Sequence, residues 1–174
     1  MQLLLLLVAL VPTMIFTATA GSVPLDFSVS PDQILERTKA AINKATGELD
    51  IIGALRPEEC TVETVIQAMA KSEAEFSIST TGLTFLSYSS TSKEIRDASR
   101  EAEQLIDAFA IEKGMREDLY KAFKAVNLPS DVDGETARFL QKTLKGFRKN
   151  GLDLPKEKRV IMKEKMKRLA ELET

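Results

Sequence analysis

Histidine is missing from this sequence altogether, and so is tryptophan. Without an imidazole the chain offers neither the commonest zinc ligand nor the base that ordinarily activates a serine or cysteine nucleophile. Cysteine occurs once, at Cys60, which excludes an intramolecular disulfide. A lone thiol just ahead of a helix reads as a small core hydrophobe, and it suits a reducing compartment. Only 6% of the residues are aromatic, so bases would find little to stack on. Strand alternation, an internal repeat and a Gly-rich phosphate loop are also missing.

What is present is the composition of a soluble helical domain. Hydrophobic residues make up 44% of the 174 residues and charged residues 29%. The net charge of −2 hides an asymmetry. Residues 21–134 carry 12 Lys/Arg against 20 Asp/Glu, whereas residues 135–174 carry 12 against 6. The basic residues are spread around two helices and interleaved with Glu. Acidic helices, in this chain or in a missing remainder, are therefore the expected neighbours of the basic end, and nucleic acid is not.

No charged side chain precedes Asp26. Leu3 to Val11 form an apolar run that resumes after Pro12, and Ala18-Thr19-Ala20 has the small-x-small spacing of a signal-peptidase site. Residues 1–20 are read as a secretory signal peptide, too short and too interrupted to span a bilayer stably. A basic n-region is lacking. Residues 21–29 read as a linker.

From Ser30 onward, apolar positions recur at helical spacing between recognisable caps. Ser30-Pro31-Asp32-Gln33 is a capping box with Pro in the first turn, followed by Ile34, Thr38, Ala41, Ile42, Ala45 and Leu49 on one face. Thr61 caps a second helix running towards Phe76. Residues 77–92, rich in Ser and Thr and containing Gly82, are expected to form a long loop with short extended pieces, held to the core by Leu83, Phe85 and Leu86. Ser92 caps a long helix with Ile95, Ala98, Ala102 and Phe109 inward, and Gly114 marks a break or a close contact. A fourth helix follows through Leu119 and Phe123. Asp133 caps a fifth, which Asn150-Gly151 stops, and Pro155 opens the last, with Met162, Met166, Leu169 and Leu172 on one side. The expected fold is all-α, about six helices in an antiparallel array.

Several of these segments, in order, resemble the beginning of the thimet oligopeptidase, neurolysin and saccharolysin family of zinc metallopeptidases. They are Ile34-Leu35-Glu36-Arg37-Thr38, Leu83-Thr84-Phe85-Leu86, Lys93-Glu94-Ile95-Arg96-Asp97-Ala98-Ser99, Met115-Arg116-Glu117-Asp118-Leu119-Tyr120, and Phe147-Arg148-Lys149-Asn150-Gly151-Leu152 with Leu154-Pro155. The resemblance runs over nearly all of 25–174, making 30–174 an N-terminal helical domain of that type. It implies a zinc endopeptidase that cleaves short peptides in a channel between two helical lobes. Its metal is held by a His-Glu-x-x-His helix and a downstream Glu, both beyond the matched segment.

This chain supplies none of that chemistry, so no catalytic, cofactor-binding or metal residue is assigned and the catalytic half is expected to be absent. Glu94, Asp97 and Glu101 share a helix face but read as solvated surface, and the hydroxyls from Ser87 to Ser92 as loop and cap residues without a base. Met115–Tyr120 reads as helix packing and surface ion pairs. Three roles follow: a channel-wall domain inactive alone, a secreted module that binds peptides, or a regulator that docks on a full-length homologue. The expected partners are short peptides or the missing catalytic region. The location is secreted if 1–20 is a signal peptide, and cytoplasmic if the family's expected location holds. The stripe of the last helix is expected to lie uncovered.

Overall fold

A computed structural model describes residues 26–173; the signal-like segment 1–20 and the first part of the linker lie outside the described residues. Those residues form six α-helices and no strands: α1 (Pro31–Gly53), α2 (Ala68–Ser89), α3 (Lys93–Gly114), α4 (Glu117–Ala125), α5 (Gly134–Lys149) and α6 (Lys156–Glu173). A 3₁₀ turn, Pro57–Glu59, and a π-helical segment, Val62–Gln67, lead from α1 into α2. No helix among them is long and apolar enough to cross a membrane.

The helix starts follow the local code. Ser30 Oγ accepts the Gln33 N–H at 3.3 Å while Gln33 Oε1 accepts the Ser30 N–H at 2.9 Å. Thr61 and Thr64 repeat the same reciprocal pattern. Ser92 Oγ accepts from Ile95 N–H at 3.3 Å, and Asp133 Oδ1 from Thr136 N–H at 2.8 Å. Each bond satisfies one of the orphan donors of a first turn. At the other end of α5, Gly151 takes φ +89°, a left-handed conformation that costs an L side chain roughly 1–2 kcal/mol.

The three long helices α1, α2 and α3 each pack against the other two, α4 packs on α1 and α5, and α6 packs on α3. Two apolar clusters result. The smaller lies between α1, α2 and α3 around Ile34, Leu83, Leu86 and Ala102. The larger lies where the end of α1 and the start of α2 meet α4 and α5, around Leu49, Val65, Leu119 and Phe123. Phe147 stacks obliquely on both Tyr120 and Phe123, with ring centroids 5.6 and 5.8 Å apart. Ala98, Ser99 and Ala102 give α3 a narrow buried edge, which lets helices approach closely.

One sequence expectation is overturned. Residues 77–92 are not a long loop with extended pieces: α2 continues through them to Ser89, leaving only a short link before α3. The hydroxyls do not break it, because they fold back on their own helix. Ser79, Thr80 and Thr81 donate to the carbonyls of Glu75, Phe76 and Ser77 at 2.8, 2.9 and 2.7 Å. Ser87 and Ser89 likewise donate to Thr84 and Phe85 carbonyls. Side chains that compete for the backbone in other contexts here leave the ladder intact. Phe85 is also misplaced by the sequence reading: Leu83 and Leu86 are buried as expected, but Phe85 is 50% exposed.

Candidate functional site

Two concave surfaces stand out. The first, a groove of about 640 Å³, lies where the end of α1, the 57–60 turn and α4 meet, with Gly53, Pro57, Cys60, Glu117, Asp118 and Lys121 on its walls. Arg116 organises this junction. It pairs with Asp50 of α1 at 2.7 Å and with Asp118 of α4, and its Nη2 donates to the Leu49 carbonyl at 3.4 Å. The Arg116 hydrogen bond holds the Asp118 carboxyl below the usual carboxylate range, against the opposing effect of partial burial. Met115–Tyr120 therefore does what the sequence reading expects of it, packing and ion pairing.

Cys60 faces this groove only through a core position. It is buried, its Sγ–H donates to the Arg56 carbonyl at 3.4 Å, and burial followed by the Glu59 and Glu58 charges pushes its pKa up. That is the environment of an inert thiol, since the thiolate is the nucleophile.

The second groove, about 630 Å³, runs between α2 and α3 past Phe76, Thr80, Thr84, Tyr88, Arg100 and Glu103. Ser87 Oγ lies 2.9 Å from Glu103 Oε1 across it and shares its one proton between that carboxylate and the Thr84 carbonyl, and Lys113 ties α3 to Glu73 of α2 at 2.8 Å. Reading 77–92 as a loop hides this surface. Its signal lies in the positions 69, 72, 76, 80 and 83, which keep helical spacing although Ser and Thr occupy two of them.

The acidic trio does not converge on a common point. Asp97 is paired with Lys93 and, at 2.9 Å, with Arg100, and Glu94 accepts from Ser92 Oγ at 2.6 Å. The Lys93 hydrogen bond is the first reason that the Asp97 carboxyl lies below its usual range, as the Ser92 hydroxyl is for Glu94. Among the described residues no group of three or more His, Cys, Asp or Glu side chains could hold a metal ion. With no imidazole in the sequence, the residues present do not fit a catalytic zinc.

The basic end of the chain meets acidic helices within the chain itself. Lys163 and Lys167 of α6 reach Glu112 of α3 at 3.5 and 2.9 Å, and Arg159 reaches Glu117 at 2.9 Å. Met162 and Met166 are half-buried, whereas Leu169 and Leu172 are exposed.

The chain is 34% identical over 155 residues to the thimet-like oligopeptidase of Dictyostelium discoideum, a match that covers 86% of this chain. The chain belongs to the thimet oligopeptidase family. Saccharolysin of Saccharomyces cerevisiae is 28% identical over 87% of the chain, and the oligopeptidase PhomG' of Diaporthe leptostromiformis 30% identical over 88%. These matches take up 23%, 22% and 13% of the three relatives, so the chain spans less than a quarter of their length. That share is consistent with the N-terminal helical region of thimet-type proteins. No protein-family model matches the chain.

Proposed function

We propose that this chain forms one helical wall of a thimet-type zinc oligopeptidase that cleaves short peptides, with the metal and its ligands supplied by a region outside the chain. Alone it has no peptidase activity. The observation that carries this reading is the 34% identity spread over 86% of a chain that contains no histidine. Three protein ligands are ordinarily needed to hold a catalytic zinc. After dialysis the purified chain should retain no stoichiometric zinc and leave a quenched peptide uncut. Zinc at one equivalent together with chelator-sensitive turnover would overturn the proposal.

A second reading, a secreted non-catalytic module that binds peptides or docks on a full-length homologue, is favoured by the apolar start ending in Ala18-Thr19-Ala20. N-terminal sequencing decides between locations. Material in the medium beginning at Gly21 supports secretion, and soluble cytosolic protein retaining 1–20 removes it.

A further inference from the structure

Asn150 ends one helix and caps another. Its backbone closes α5, where the Leu152 N–H donates to the Phe147 carbonyl at 3.2 Å and the Gly151 N–H to the Arg148 carbonyl at 2.9 Å, a paired stop that needs the left-handed Gly151. Its side chain crosses to α3, where Nδ2 donates at 3.1 Å to the carbonyl of Gly114, the last residue of that helix. That carbonyl is one of those a helix end leaves without an internal partner. A Cβ on Gly114 would collide with Asn150 Nδ2, so the glycine leaves room for the amide. Gly114 and Asn150-Gly151, separate features of the sequence, are two halves of one clip.

Of the three asparagines in the sequence, Asn43 precedes Lys44, Asn127 precedes Leu128, and Asn150 alone precedes a glycine. A glycine nitrogen has no neighbouring side chain to shield it, so it is the one best able to attack the amide of a preceding asparagine. The attack has two requirements. The Gly151 nitrogen must be free to lose its proton, and the Asn150 backbone must turn until that nitrogen faces Cγ. The fold withholds both. The Arg148 carbonyl holds the Gly151 proton, Asn150 is fixed at φ −75° and ψ 3°, and its amide is tied to α3.

We propose that Asn150 is a deamidation site gated by the α3–α5 clip, closed while the two helix ends are joined and reactive once they part. In the open chain a hydroxide ion takes the Gly151 amide proton, and the nitrogen bonds to Asn150 Cγ. The Cγ–Nδ2 bond breaks, and Nδ2 leaves as ammonia with a proton taken from water. A second water then opens the cyclic imide at either carbonyl, leaving aspartate or isoaspartate at position 150. The product does not close the clip again. Its carboxylate has no proton to donate and meets the Gly114 carbonyl as a second acceptor. It also lies at the C-terminal ends of two helices, where negative charge is disfavoured. Isoaspartate lengthens the backbone inside the α5 stop as well. A reversible opening thus becomes a permanent mark.

The test incubates the whole purified chain in mildly alkaline buffer, folded and in urea, and follows position 150 by peptide mapping with mass spectrometry. In urea Asn150 should convert about ten-fold faster or more than in the folded chain, while Asn43 and Asn127 stay intact over the same period. Folded Gly114→Ala, whose methyl displaces the amide, should convert about five-fold faster than wild type, the equivalent of one intramolecular hydrogen bond. Asn150→Asp should speed hydrogen exchange across 111–116 and 147–152 and leave the amides of α1 unchanged. Equal rates in urea and in the folded wild type would overturn the gate, and an Asn150 that survives urea would overturn the site. Gly114→Ala with wild-type circular dichroism and a wild-type rate would show that the clip is not what protects Asn150. If that variant does not fold, the urea comparison and Asn150→Asp still decide. Unchanged exchange in Asn150→Asp would show that the product recloses the clip, against the proposal.

Discussion

A Cβ on Gly53 would collide with Asp118 Oδ2, so the last residue of α1 leaves open the space that a carboxylate of α4 fills. The same carboxylate is held by Arg116, whose other arm reaches Asp50 on α1. The glycine and the ion pairs together weld the end of the first helix to the start of the fourth.

Gly53→Ala should therefore destabilise the chain. Alanine gains up to about 1 kcal/mol of helix propensity over glycine. The displaced carboxylate loses charge-assisted bonds, leaving a net loss of about 1 kcal/mol. In an Asp118→Ala background the same change should instead be neutral or stabilising. Urea unfolding of the four members of this double-mutant cycle measures the coupling, and strict additivity would contradict the contact.

Stability should fall in acid. The Asp118 carboxyl is held down first by Arg116, and that of Glu112 first by the Lys167 hydrogen bond. A depressed folded-state pKa means that the folded chain binds fewer protons than the unfolded one. The stabilisation is present above the unfolded value of about 4 and disappears as pH falls through the folded values. The melting temperature should stay level from mild alkali to about pH 5 and drop below about pH 4. Asp118→Asn should make that drop shallower.

Ser99 should be better replaced by alanine. Its side chain is fully buried in α3 and its Oγ has no hydrogen-bond partner. Removing a buried, unpaired hydroxyl relieves a desolvation penalty of order 1 kcal/mol. Ser99→Ala should accordingly raise the urea midpoint at an unchanged slope. A lowered midpoint would show that the hydroxyl has a partner.

Glu112→Gln should loosen α6 selectively. Glu112 is the shared anchor of Lys163 and Lys167. Hydrogen exchange should speed up across 156–173 while the amides of α1 to α3 keep their protection, and high salt should reproduce the effect in wild type. Equal protection of α6 in the variant would place its anchorage in Met162 and Met166 instead.

Family and most helix boundaries are legible in the sequence. The caps at Ser30, Thr61, Ser92 and Asp133 and the stop at Gly151 depend on bonds between residues a few positions apart, so the local code carries them. The lack of histidine settles from composition alone that this chain cannot supply an imidazole ligand.

Only the tertiary structure decides the second half of α2. Its inward positions are held by Leu83 and Leu86 between α1 and α3, while Ser and Thr at neighbouring positions blur the apolar stripe that periodicity relies on. Local hydroxyl chemistry favours loop and helix about equally, and burial of those two leucines against distant helices tips the balance. The same long-range packing turns Phe85 outward and sets Gly53 against Asp118, relationships between helices that no sequence window contains.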